Sequence, residues 1–137
     1  MCKHEWMDYR TILRAAAISG GTGVALGAFG AHGLREMLLR TGMSDAWETA
    51  VRYQMLHAVG LLCLSLWMRQ GSSGNERFFR WATYAWILGT LLFSGSLYGL
   101  ALGGPKWLGP ITPLGGVALI LGWVFLFVSA SRSTEHP

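Results

Sequence analysis

The run TPLGGVALILGWVFLFVSA, Thr112–Ala130, contains no charged residue. A helix needs about 20 mainly apolar residues to cross the hydrocarbon core of a bilayer, and this run has that length. Lipid supplies no hydrogen bonds to the backbone, so a run of this kind must satisfy its own peptide groups as a helix. Three further runs upstream are also long and mainly apolar. They cover residues 15–34, 46–68 and 81–102, the second with its helix beginning near Asp45. The connections are short, so consecutive helices are expected to be antiparallel neighbours. The expectation is therefore all-α: a single membrane domain over 1–137, an integral membrane four-helix bundle of up-down topology.

Composition supports this. The chain has 137 residues, of which 13% are charged and 52% hydrophobic; soluble domains carry about 25% charge. Mean hydropathy is +0.37. So little charge cannot cover a soluble globule, and a disordered chain would be polar and charge-rich. The net charge is +4, but the basic residues stand singly between apolar runs. That pattern anchors membrane loops rather than forming a nucleic-acid face. Cys2 is terminal and Cys63 lies inside an apolar run. With no C-x-x-C, neither a disulfide framework, a cysteine zinc site nor dithiol exchange is expected.

The boundaries carry local marks. Gly71–Asn75 reads as a turn, and Gly103, Gly104, Pro105, Gly109 and Pro110 break the chain before the last run. Thr112 followed by Pro113 reads as an N-cap and first-turn proline. Trp6, Trp47, Trp67, Trp81 and Trp107 fall near span ends, as an interfacial belt would place them. Only Trp86 and Trp123 fall inside spans. The mixed stretch 34–43 reads as a short helix lying at the interface. The first run follows Arg10 and Arg14 like a signal peptide, but it exceeds the usual 7–15-residue apolar region and reads as a span.

Lysine and arginine set the orientation. Lys3, Arg10, Arg14, Arg69, Arg77, Arg80 and Arg132 fall on one side; Arg35, Arg40 and Lys106 fall on the other, with Arg52 at the rim. Seven against three, of 11 in all, places both termini in the cytoplasm, in a bacterial inner membrane.

Glycine is abundant, at 19 residues. Lipid tails are as apolar as leucine, so small residues rather than burial draw membrane helices together. Gly95, Gly99 and Gly103 recur at four-residue spacing. Gly23, Gly27 and Ala31 do the same, and Gly115, Ala118 and Gly122 share a face. These stripes are expected to let neighbouring backbones approach, within the chain or against a second protein.

The polar side chains gather in one layer. His32 ends the first run; Glu48, Arg52, Tyr53, Gln54 and His57 open the second; Ser94, Ser96 and Tyr98 close the third; Thr112 opens the fourth. At about 1.5 Å per residue, all fall in the outer half of the bilayer, leaving the inner half almost purely apolar. Tyr53, Gln54 and His57 are expected to point into the bundle, because polar groups within membrane helices seek the interior. Glu48 and Arg52 have the spacing and order of a helix ion pair. The layer is open to several readings: a hydrogen-bond network fixing helix register, a pocket for a small molecule, lipid head group or quinone, a haem or metal held by His32 and His57, or a proton path. No Ser-His-Asp set, HExxH or P-loop occurs, so no catalytic residue, cofactor or metal is expected.

Four strings resemble a known family: GAFGAHGL (Gly27–Leu34), TAVRYQMLHAVGLL (Thr49–Leu62), LFSGSLYGL (Leu92–Leu100) and TPLGGVALILGW (Thr112–Trp123). They look like the domain of unknown function 423 family, small bacterial inner-membrane proteins of the YgdD type with eukaryotic relatives called transmembrane protein 256. The resemblance spans about Arg14 to Ala130. It implies four membrane helices and no established activity, and it assigns no catalytic residue. The expected role is a non-enzymatic membrane scaffold or accessory subunit, packing against itself or a larger complex. A small-ligand, lipid or quinone binding or transport protein is the alternative.

Overall fold

A computed structural model describes residues 8–70 and 75–131. Five α-helices follow in order: α1 Tyr9–Ala31, α2 Arg35–Thr41, α3 Ser44–Arg69, α4 Glu76–Ala101 and α5 Ile111–Ser131, with a 3-10 turn over Lys106–Leu108. There is no strand among the described residues. Lys3, Trp6, Gly71–Gly74 and Arg132 lie outside them.

The helices outrun the apolar runs. α1 begins six residues before its run and takes in Arg10 and Arg14, both exposed. α4 begins at Glu76, where Asn75 caps it by accepting from the Arg77 amide at 3.2 Å. α1 stops at Ala31. His32 is its C-cap, and its amide bonds the Ala28 carbonyl. α2 ends on Gly42 at φ 68°, and Met43 N–H returns to the Leu38 carbonyl at 2.9 Å; only glycine takes this left-handed cap without strain.

Three segments are long and apolar enough to cross a membrane: Tyr9–Ala31, Glu76–Ala101 and Lys106–Ala130. The fourth expected span lies in α3, which has the length at 26 residues. Its first half carries Asp45, Glu48, Arg52, Gln54 and His57, and these lower its apolarity.

Contacts between consecutive long helices run in opposite order. Along α1, Gly23, Gly27 and Gly30 meet Met55, Val51 and Trp47 of α3. Between α3 and α4, Trp47 meets Tyr98, Tyr53 meets Phe93 and Trp67 meets Phe79. Between α4 and α5, Gly122 meets Trp86 and Gly115 meets Phe93. Each pair is therefore antiparallel. One end of the molecule holds α2, the end of α1 and the start of α3. The opposite end holds the start of α1 and the end of α3.

Two apolar clusters form. Ile12, Ala16, Leu61, Leu64, Phe79, Trp86 and Leu119 join all four long helices, and Leu38, Trp47 and Ala101 join α2, α3 and α4. The outward surface is apolar as well. Ile18, Val24, Leu91, Ile120 and Phe127 are exposed, which suits lipid and not water.

The glycine expectations need revision. A Cβ on Gly95 would meet nothing within 4 Å, and Gly103 lies beyond α4 at φ 82°. Gly99 receives the Leu108 side chain, and its carbonyl accepts from Gly104 N–H at 2.8 Å. That series builds a turn rather than a packing stripe. Ala31 is exposed, and Gly30 takes its place in the α1 stripe. Close backbone approach occurs between α4 and α5: at Gly115 against the Phe93 backbone, and at Gly89 against Leu119 N. Gly23, Gly30, Gly60 and Gly122 instead make room for Met55, Trp47 and, twice, Trp86.

Candidate functional site

Gln54 is the centre of the largest polar group. α3 directs it, buried, towards α1. There its amide Nε2 donates to the Ser19 carbonyl and to Thr22 Oγ1, both at 2.9 Å. Its Oε1 accepts from Tyr98 OH of α4, also at 2.9 Å. One side chain thus ties three helices. Thr22 Oγ1 in turn donates to the Ile18 carbonyl at 2.7 Å.

His57 lies one turn further along α3, buried among aromatic rings. Trp86 and Trp123 approach it edge-on, with centroids at 5.6 and 6.2 Å. An indole nitrogen only donates. Trp123 Nε1 lies 3.3 Å from His57 Nε2, so Nε2 must accept and carries no proton. Nδ1 therefore holds the proton and donates to the Tyr53 carbonyl at 2.8 Å. The ring is neutral, with both nitrogens engaged.

Further side-chain bonds cross between helices. Ser94 Oγ donates to the Ala50 carbonyl at 2.8 Å, and Ser96 Oγ pairs with Thr112 Oγ1 at 2.7 Å. Trp47 Nε1 donates to the Leu26 carbonyl at 3.0 Å.

The expected layer is thus several small groups. Gln54 and Tyr98 meet, as do Ser96 and Thr112. His57 and Ser94 bond elsewhere. His32 is exposed past the end of α1 and joins none of them. Tyr53 does not point inward: it is 40% exposed, with its ring against Phe93. Glu48 and Arg52 are exposed and form no ion pair; the ion pair among the described residues joins Arg10 to Asp8. Both instead line a cavity of about 570 Å³ beside Arg35 and Leu39 of α2. Thr112 lies inside the first turn of α5 rather than capping it. Trp47 is only 3% exposed, a core residue and not a belt residue, whereas Trp67, Trp81 and Trp107 are exposed. Nor is the opposite half purely apolar: Ser65, Thr83 and Ser129 are buried there.

Sequence reasoning passed over Ser19, Thr22, Trp86 and Trp123 as partners. The mid-span tryptophans were the available signal, since a buried indole N–H seeks an acceptor; Trp123 Nε1 finds one in His57, whereas Trp86 Nε1 has none and contributes its ring. Among the described residues no group of three or more His, Cys, Asp or Glu is placed to hold a metal ion.

Comparison with known proteins is consistent in one respect. Residues 26–116 match the model of a protein family of unknown function, DUF423. The UPF0382 inner membrane protein YgdD of Escherichia coli K12 is 42% identical over 127 residues, covering 92% of this chain and 93% of that protein. A UPF0382 membrane protein of Staphylococcus epidermidis is 43% identical over 117 residues, covering 85% and 91%. One of Haemophilus influenzae is 38% identical over 122 residues, covering 88% and 94%. No solved structure matches the fold. The apolar exterior, the candidate spans and these relatives agree: the chain is a membrane protein and belongs to the DUF423 (UPF0382) family.

Proposed function

We propose that the chain is a small non-enzymatic scaffold or accessory subunit of the bacterial inner membrane. It crosses the bilayer four times as an up-down bundle, with both termini in the cytoplasm. The observation that carries this is how the polar side chains are used. Gln54 spends its amide donors on Ser19 and Thr22 and its oxygen on Tyr98, and His57 spends both nitrogens on Tyr53 and Trp123. Side chains committed to holding helices together are not free to act on a substrate. α3 is the fourth crossing, because Gln54 and His57 are turned onto neighbouring helices and lipid meets Leu56, Val59, Leu62 and Leu66. The excess of Lys and Arg on the side of the termini supports the orientation.

Purification in mild detergent, followed by native mass spectrometry, tests the role. A homo-oligomer or a complex of fixed stoichiometry is expected; free monomer with ordinary lipid contradicts it. Reporter fusions at both ends test the topology, and a periplasmic signal at either end overturns it.

A further inference from the structure

Glu48 and Arg52 of α3 share their cavity with Arg35 of α2. Its volume, about 570 Å³, falls within the range of about 300–1,000 Å³ usual for small-molecule sites. Two guanidinium groups from different helices thus line one space. Among the described residues, neither guanidinium nor the Glu48 carboxylate has an ion-pair or hydrogen-bond partner. Arginine binds phosphate through parallel N–H donors, and these donors are unused.

The cavity lies at a bilayer boundary. α1, a candidate span, ends at Ala31, and Gly30 and Ala31 form part of the lining there. Gly27 meets Val51, which puts this level of α3 four residues, about 6 Å, inside the end of α1. Head groups occupy that depth, since they add about 5–7 Å to each side of the hydrocarbon core. Apart from Ser44 and the three charged residues, the lining is apolar or glycine. Leu39 within it is 63% exposed, so the apolar side reaches lipid.

We propose that this cavity holds the head group of one aminophospholipid. Its phosphodiester accepts from Arg35 and Arg52, its ammonium faces Glu48, and its glycerol and acyl carbons run over Leu39 and Val51. Two cations and one carboxylate in a single space match a group that carries both a phosphate and an amine. Phosphatidylglycerol and inorganic phosphate share the anion but offer Glu48 no cation. Inorganic phosphate also leaves the apolar side uncovered.

The test is native mass spectrometry of the delipidated full chain, titrated separately with dioleoylphosphatidylethanolamine, dioleoylphosphatidylglycerol and inorganic phosphate. The amino lipid is expected to bind saturably at one copy per chain, more tightly than the other two. Arg35→Gln and Arg52→Gln should each weaken it about three- to tenfold, the low end for a hydrogen bond to a charged group because both arginines are exposed. Glu48→Gln should narrow the preference over phosphatidylglycerol. Arg10→Gln, at the opposite end and paired with Asp8, should leave binding unchanged, which separates the cavity from a general attraction of cations to lipid. All four substituted residues are exposed, and circular dichroism checks that the variants remain helical. Four results each overturn the proposal: binding of the amino lipid that does not saturate, equal affinity for phosphatidylglycerol, phosphate binding as tight as lipid binding, or unchanged affinity in both arginine variants.

Discussion

At the α2 end of the molecule, buried polar side chains reach across to other helices. Gln54, Tyr98, Trp47 and Ser94 bond to groups on a different helix. At the opposite end they turn back on their own. Ser65 donates to Leu62, Thr83 to Phe79 and Ser129 to Leu126, all within one helix. Both sets of side chains are satisfied, as lipid requires, but only one gains interhelical ties from it. The other is held by fit: Trp67 packs on Phe79, and Phe78 and Trp81 pack near Phe125. Side-chain reach accounts for most of the difference. Gln, Tyr and Trp can span an interface, whereas a short hydroxyl most easily finds the carbonyl three or four residues back.

This contrast can be broken or sharpened by substitution, read as unfolding free energy in mixed micelles. The largest effect belongs to the seam between the two ends, where Trp86 fills the space left by Gly60 and Gly122 and touches His57 and Trp123. Trp86→Ala should cost about 3–5 kcal/mol, as expected for emptying a core aromatic site. A loss below about 1 kcal/mol would mean the ends are not joined through it. Next comes Gln54→Leu, which deletes three interhelical bonds. Such bonds in membranes average about 0.6 kcal/mol and reach about 1.7, so a loss of about 2 kcal/mol is expected. The smallest effects belong to the opposite end. Ser65→Ala and Ser129→Ala should each stay within about 0.5 kcal/mol, because each hydroxyl donates to a carbonyl of its own helix. A loss there equal to that of Gln54→Leu would erase the distinction.

Much of the fold was legible because long apolar runs have few alternatives in lipid. The ends of α1 and α4 were not, because apolarity stops before helicity does: Arg10, Arg14, Glu76 and Arg77 continue the helix into the polar region. Glycine spacing misled in a specific way. Gly95, Gly99 and Gly103 have the period of a packing stripe, yet one faces a groove and another makes a turn. The glycines that matter for packing, such as Gly60 and Gly89, are chosen by which large side chain arrives from a partner helix. No local pattern encodes that arrival. The polar layer was half legible. Depth along each helix follows from counting residues, but which way Tyr53 or Gln54 faces depends on the neighbours. His57 was singled out for its burial cost, and Trp123, which settles its protonation, lies 66 positions away.

The central claim is that the polar side chains at the α2 end are braces between helices. A double-mutant cycle on Gln54→Leu and Tyr98→Phe tests it most directly, because these two residues meet across α3 and α4 at 2.9 Å. A favourable coupling energy of about 0.5–1.5 kcal/mol is predicted. Strictly additive losses would show that the two side chains do not hold one another, and would contradict it.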